Sequence, residues 1–326
     1  MLNKERLLRF APLIGIGLFL ATGPFFLDVA LVSLLNKILI YALLAMSLDL
    51  IFGYAGLWSL GHAAFFGIGA YTTGILMTRY GVTSLWLSAP AGILMATLVA
   101  AIFGPIALRV SGIYFLLVTF ALGQLVYGVC MKWYEVTGGK DGISGIPYPD
   151  LGFSFSFSPI SIYYLTLIVV AICVFVLYLI TKSPFGYSLQ GIREGETRMR
   201  HLGYNTWLYK YIAFVISGLF AGVAGVLYIY FYGHIEPASI GFMASSTAML
   251  LILIGGVGTL WGAAIGSAVI VSLEYFASTL VPGRWPLILG SCFIVVVMFL
   301  PGGIYPHLIN LQRKIKLRHS YGSVKD

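Results

Sequence analysis

The sequence predicts an all-α, polytopic membrane protein with about ten transmembrane segments, one of them short or broken, built as a single transmembrane domain over residues 1–326. Three observations predict it. Of 326 residues, 60% are hydrophobic and only 9% charged, with a mean hydropathy of +0.96. Soluble domains carry about 25% charged residues, so a chain this poor in charge cannot clothe a water-facing surface. The apolar residues fall in runs near the ~20 residues that a helix needs to cross a hydrocarbon core of ~30 Å. The basic residues gather at alternate connections, the pattern of a multi-pass protein with positive inner loops.

The elements follow in order. Residues 7–27 form the first apolar run. Lys4, Arg6 and Arg9 before it and Ala21-Thr22-Gly23 near its end imitate a secretory signal. The run nevertheless continues through Pro24-Phe25-Phe26-Leu27, beyond the apolar core of a usual signal, so a retained helix is expected. Further crossings are expected at 30–51, 62–79, 85–108, 112–134 and 160–181. After a polar loop come 211–230, 240–254, 260–280 and 286–300. The piece at 240–254 is short for a bilayer and runs into "GGVGTLWG", which marks a broken crossing.

Counted inward from a cytoplasmic N-terminus, the inner side receives Lys4, Arg6, Arg9, Arg109, Lys182, Arg193, Arg198, Arg200, Lys210, Arg313, Lys314, Lys316, Arg318 and Lys325, fourteen of the 19 basic residues. Only Arg79, Lys132, Lys140 and Arg284 fall outside, and Lys37 lies within a helix. Both termini are therefore expected in the cytoplasm, with a basic tail at about 304–326 that anchors the orientation and does not need a nucleic-acid partner. Cys130, Cys173 and Cys292 stand far apart inside apolar runs, without CxxC spacing; neither a disulfide framework nor a metal site is expected, and no cofactor.

Two stretches interrupt the helices with clustered glycine: "GYAGLWSLGHAAFFGIGAY" at 53–71 and "GGVGTLWGAAIG" at 255–266. Tight helix packing explains them in one way: Gly258, Gly262 and Gly266 recur every four residues and would share a helix face open to a neighbouring backbone. In the other reading, broken helices line a pathway, because freed backbone groups at membrane depth are tolerated only within protein or beside a water-filled cavity. Transporters place such breaks in both halves of the chain. The pathway candidates are Asp49, Gly53, Gly56, Ser59, Gly61, His62, Gly255, Gly256 and Gly258. Asp49 and His62 could equally cap helix ends. Lys37 could snorkel outward; in the other reading Lys37 and Glu274, at similar depths, pair, which lessens the cost of each charge in the membrane.

Catalytic chemistry finds no support. "TGGKDG" at 137–142 contains Gly-Lys, but Asp141 stands where a P-loop needs Ser or Thr, and Gly256-Val257-Gly258 lies in a membrane segment instead of a strand–turn–helix unit. There is no nucleophile–base pair, carboxylate pair or HExxH run. The chain is not expected to hydrolyse ATP by itself.

The most polar internal stretch is the cytoplasmic loop "TKSPFGYSLQGIREGETRMRHLGYNTWLYK", with a short helix expected at 189–202 and ended by Gly203. A purely basic helix would suit anionic lipid. Glu194 and Glu196 among Arg193, Arg198 and Arg200 suit a protein partner better.

Five stretches carry a resemblance: "SLDLIFGYAGLWSLGHAAFFGIGAY", "TGGKDGISGIP", "SPFGYSLQGIREGETRMRHLGYN", "FVISGLFAGVAGVLYIY" and "LIGGVGTLWGAAIGSAV". In this order they resemble the permease subunits of bacterial branched-chain amino-acid ABC importers, the LivM type above all, across roughly residues 42–303. The resemblance implies a type-II-importer-like permease in the bacterial inner membrane. Its implied partners are a second related permease, two ATP-binding subunits and an extracytoplasmic substrate-binding protein. It makes Arg193, Glu194 and Glu196 through Gly203, within a loop at about 182–210, the ATPase-coupling element. It also departs from the family at Arg198 and Met199, where small residues are common. The implied function is translocation of branched-chain or related small amino acids. Alternatives are a urea or short-amide permease of the same family, or an ion-coupled secondary transporter that would use Asp49 and need no ATPase.

Overall fold

The computed structural model describes residues 15, 17, 19–150, 158–281, 283–300 and 302–308. About half of the first expected crossing, 7–27, and most of the basic tail lie outside them. The end of the first segment does not: Tyr163 and Tyr164 donate hydrogen bonds to the Leu20 and Ala21 carbonyls at 2.8 and 2.9 Å.

Helix α1 spans Val29–Asp49 and continues through a π-turn at Leu50–Tyr54. Then come α2 (His62–Arg79), α3 (Leu85–Ala107), α4 (Ile113–Lys132), α5 (Pro159–Lys182), α6 (Pro184–His201) and α7 (Thr206–Tyr232). The last three are α8 (Phe242–Gly255), α9 (Leu260–Leu280) and α10 (Trp285–Phe299). Six of the described helices are long and apolar enough to cross a bilayer: α1 with its π-turn, α3, α4, α5, α7 and α9. Helix α8, with 14 residues, is the short segment expected at 240–254.

Starts are set by caps. Ser158 accepts from the Ser161 N–H, with Pro159 opening α5. Asn205 accepts from the Leu208 N–H at 3.1 Å and starts α7 five residues before the apolar run itself begins. Hydropathy hides that first turn because Thr206, Tyr209 and Lys210 dilute it.

Helices α7 and α1 form the centre, 72% and 50% buried along their apolar windows against 22% for α3. Helices α2 and α3 pack on α7; α9, α8 and α5 pack on α1, and α1 and α7 also meet each other. The close approach of α2 and α7 depends on a missing side chain: a Cβ on Gly225 would overlap the Phe66 carbonyl oxygen. Small residues at such seams bring backbones within van der Waals reach, the main attraction available between helices in lipid.

At one end of the bundle, strand Ile143–Ser144 pairs antiparallel with His234–Ile235, tying the α4–α5 connection to the end of α7. Helix α6 lies at the other end. The Lys37 Nζ and Glu274 Oε2 atoms stand 3.1 Å apart and join α1 to α9, as their matching depths predict.

One expectation is corrected. Gly258, Gly262 and Gly266 do not share a helix face, because α9 begins at Leu260 and Gly258 stands before it with φ +75. Positive φ at Gly256 and Gly258 stops the helical path between α8 and α9. The seam of α8 with α9 uses Gly255 in its place: Cβ atoms on Gly255 and Gly266 would overlap the carbonyl oxygens of Gly262 and Leu251.

Candidate functional site

The two helix breaks meet. The π-turn widens the end of α1 and presents Asp49 and Gly53 to the α8–α9 connection; such single π-turns favour functional sites. Asp49, fully buried, accepts a hydrogen bond from the Gly258 N–H at 2.8 Å. Any side chain on Gly53 would strike the Asp49 carboxylate and the Gly258 backbone. Asp49 is thus no helix cap. It ties the first half of the chain to the second across the interior.

Over this junction lies α6. Its Leu189 and Ile192 are buried, its Glu194 and Arg198 exposed, and it kinks at Gly195. Arg193 turns back from it: Nη1 donates to the Gly53 carbonyl, the guanidinium lies within electrostatic reach of Asp49, and its stem packs on Gly56. Beside it opens a cleft of about 610 Å³ lined by Phe52, Gly56, Trp58, Arg193, Glu196 and Lys210, among others.

Glu196 does not face outward as freely as Glu194. Its carboxylate accepts from Lys210 Nζ at 2.6 Å, from Arg200 Nη2 at 3.1 Å and from the Thr206 hydroxyl at 3.1 Å. Partial burial pushes this carboxyl up, but the Lys210 bond and charge, with Thr206 and Arg200, outweigh burial and hold it below its ordinary value. The network clips α6 to the first turn of α7. Gly203, φ +89, makes the turn between them, with Tyr204 N–H donating to the Met199 carbonyl at 3.1 Å. Helix α6 ends where Gly203 predicts, and begins earlier, at Pro184 behind the Ser183 cap.

His62 is a joint between helices, with Gly61 taking the cap position of α2. Its Nε2 stands 2.9 Å from Ser47 Oγ on α1 and 3.5 Å from Ser217 Oγ on α7. The Ser47 hydroxyl donates to the Leu44 carbonyl at 2.7 Å, and the Ser217 hydroxyl to the Ser47 carbonyl. With both hydroxyl hydrogens committed, Nε2–H is left as the donor to Ser47. Ser59 is buried and accepts from the Gly61 N–H at 3.4 Å, and a Cβ on Gly61 would overlap the Thr119 carbonyl of α4. Gly256, φ +125, packs against Pro306.

Of the residues singled out in the sequence, Asp49, Gly53, Gly56, Gly258 and Arg193 come together. Ser59, Gly61 and His62 border them on the α2 side, and Gly255 belongs to the α8–α9 seam. Sequence reasoning missed Ser47, Ser217, Thr206 and Lys210. Isolated hydroxyls carry no signal of their own, and Lys210 was legible only as an inner-side charge.

A multi-pass helical bundle whose two broken crossings meet beneath an amphipathic end helix defines a membrane protein of the permease class. The family profile described as branched-chain amino acid transport system / permease component matches residues 30–300, and the chain belongs to that family. It is similar to the high-affinity branched-chain amino acid transport system permease protein LivM of Escherichia coli K12, 29% identical over 93% of this chain and 76% of the relative. It is also similar to LivH of Salmonella typhimurium, 26% identical over 81% of this chain and 90% of the relative. BraD of Pseudomonas aeruginosa is 24% identical over 81% and 91%. These relatives are named as transport permeases, not as enzymes. No solved structure matches the chain.

Proposed function

We propose that this chain is one of two related permeases in an ATP-driven importer of branched-chain or related small amino acids. Two ATP-binding subunits hydrolyse ATP and grip the loop at 182–210, and an extracytoplasmic binding protein delivers substrate. The whole of 1–326 acts as one transmembrane domain of about ten segments, with both termini and α6 in the cytoplasm. The observation that carries this reading is the Arg193 bond to Gly53. It links the one amphipathic helix among the described residues that suits a cytoplasmic partner directly to the place where both helix breaks meet. A movement of α6 would then act on Gly53, and through Asp49 on Gly258, opening or closing an inner gate.

The acidic residues of α6 have different tasks. Glu194 is exposed and makes no ion pair among the described residues, so it is the one left to meet an ATPase; Glu196 holds the loop together. Glu194→Lys is expected to weaken ATPase co-purification or uncouple substrate-stimulated hydrolysis, at normal abundance in the membrane. An exposed ion pair contributes only ~0–1 kcal/mol to folding, so misfolding would not mimic this. Full coupling in Glu194→Lys would sink the assignment. For orientation, single cysteines at Ser183, Ser158 and Ser323 should be reached by an impermeant thiol reagent from outside only at position 158. Labelling of 183 or 323 from outside would overturn the topology.

A further inference from the structure

We infer that Lys37 and Glu274, with the tyrosine rings around them, form a binding station for a zwitterionic α-amino acid in the outer half of the bundle. This rests on the amino-acid import proposed above and names the part of the chain that recognises the amino and carboxyl groups.

Lys37 lies eight residues inside α1 and Glu274 six from the end of α9, about 12 and 9 Å deep at 1.5 Å per residue. The pair is not sealed away, since each side chain keeps 29% of its exposure. Charges at such depth do not face hydrocarbon; they face a water-filled passage or another protein. The open flank of this pair therefore looks onto the pathway or the second permease that walls it. Asn36, beside Lys37, is fully buried, and neither of its amide atoms has a partner among the described residues.

A file of aromatic rings adjoins the pair. Lys37 Nζ is 5.7 Å from the centroid of the Tyr41 ring. Tyr41 is 6.4 Å from Phe66, Phe66 is 5.2 Å from Tyr228, and Tyr228 is 4.5 Å from Tyr232. Glu274 lies within electrostatic reach of Tyr41, Tyr228 and Tyr232.

An ammonium and a carboxylate held 3.1 Å apart and open on one side are the complement of the two charges of an amino acid. The substrate carboxylate takes Lys37, and its ammonium takes Glu274 and an aromatic face. The apolar side chain lies against Tyr232, the exposed end of the file. When substrate leaves, Lys37 and Glu274 pair again, so neither charge is ever bare in the membrane. That exchange keeps binding weak enough for release. A neutral amide or urea has no charges with which to open the pair.

A tie between α1 and α9 with no ligand role is the competing account, and abundance separated from uptake decides between them. In vesicles carrying the complete transporter, Lys37→Met and Glu274→Met should each lower the amount of assembled protein, and Lys37→Met with Glu274→Met together should restore it. Leucine uptake per assembled complex in the double variant should stay at least about tenfold below the parent, the weight of a lost charged hydrogen bond. Uptake that recovers with abundance would overturn the proposal. If the double variant does not accumulate, Tyr232→Leu decides: Tyr232 is 38% exposed and outside the ion pair, and its loss should raise the KM for leucine several-fold at unchanged abundance. An unchanged KM overturns the station. A parent complex that carries urea or acetamide but no leucine would overturn the substrate reading and this proposal together. Leucine uptake that survives in the double variant removes this proposal alone.

Discussion

Gly266→Leu lowers the amount of assembled protein in the membrane several-fold, whereas Gly17→Leu leaves its abundance unchanged. At Gly266 a Cβ would already overlap the Leu251 carbonyl oxygen and crowd the Gly255 nitrogen, and leucine adds three further carbons. Backbone cannot rotate aside as a side chain can, so α8 and α9 would have to separate. Overpacking of a well-filled interior costs about 1–3 kcal/mol, and a clash with backbone belongs at the top of that range. A loss of about 3 kcal/mol lowers the folded-to-unfolded ratio by about a hundredfold, a large share of a typical total. Gly17 has nothing within 4 Å among the described residues and is the control. The measurement is membrane abundance with size-exclusion profile in mild detergent. Equal tolerance at the two sites would mean that the α8–α9 seam is looser than the structure has it.

Arg193→Met disconnects ATP hydrolysis from uptake. The substitution preserves the apolar stem against Gly56 but removes the donor to the Gly53 carbonyl and a cation within electrostatic reach of Asp49. Loss of a charged hydrogen bond costs about 1.5–3 kcal/mol, so uptake per ATP should fall at least about tenfold. Assembly with the ATPase should persist, since Glu194 and the Glu196 network remain. Arg193→Lys should recover only part of the coupling, because a lysine ammonium lacks the planar fork of guanidinium. The test is the ratio of transported substrate to hydrolysed ATP in vesicles. A ratio equal to that of the parent would show that α6 moves the gate without this link.

How much could be read beforehand differs by kind of residue. The apolar runs located α2, α3, α4, α5, α8 and α9 to within a few residues, because a helix in lipid must be apolar along its whole length. Helix α7 begins five residues early, behind an Asn205 cap too polar for the hydropathy scale. The Lys37–Glu274 pair was legible because depth along a crossing can be counted from the sequence, and two opposite charges at one depth lower each other's cost. Asp49 and His62 were visible as intramembrane polar residues, but capping and pathway roles could not be separated.

Without coordinates the chain is already legible as a multi-pass helical membrane protein of a permease family, with its breaks placed and its amphipathic loop recognisable. Those properties rest on composition and on patterns a few residues long, which act locally. The joining of the breaks shows itself in three dimensions alone: Asp49 meets Gly258 across 209 residues, and Arg193 meets Gly53 across 140. The fold also moves Gly258 off the helix face, brings Arg193 onto the Gly53 carbonyl while Glu194 makes no ion pair among the described residues, and seats His62 between Ser47 and Ser217. No local preference specifies such contacts. They follow from how closely glycine-lined helices can pack, and packing is settled by all the helices at once.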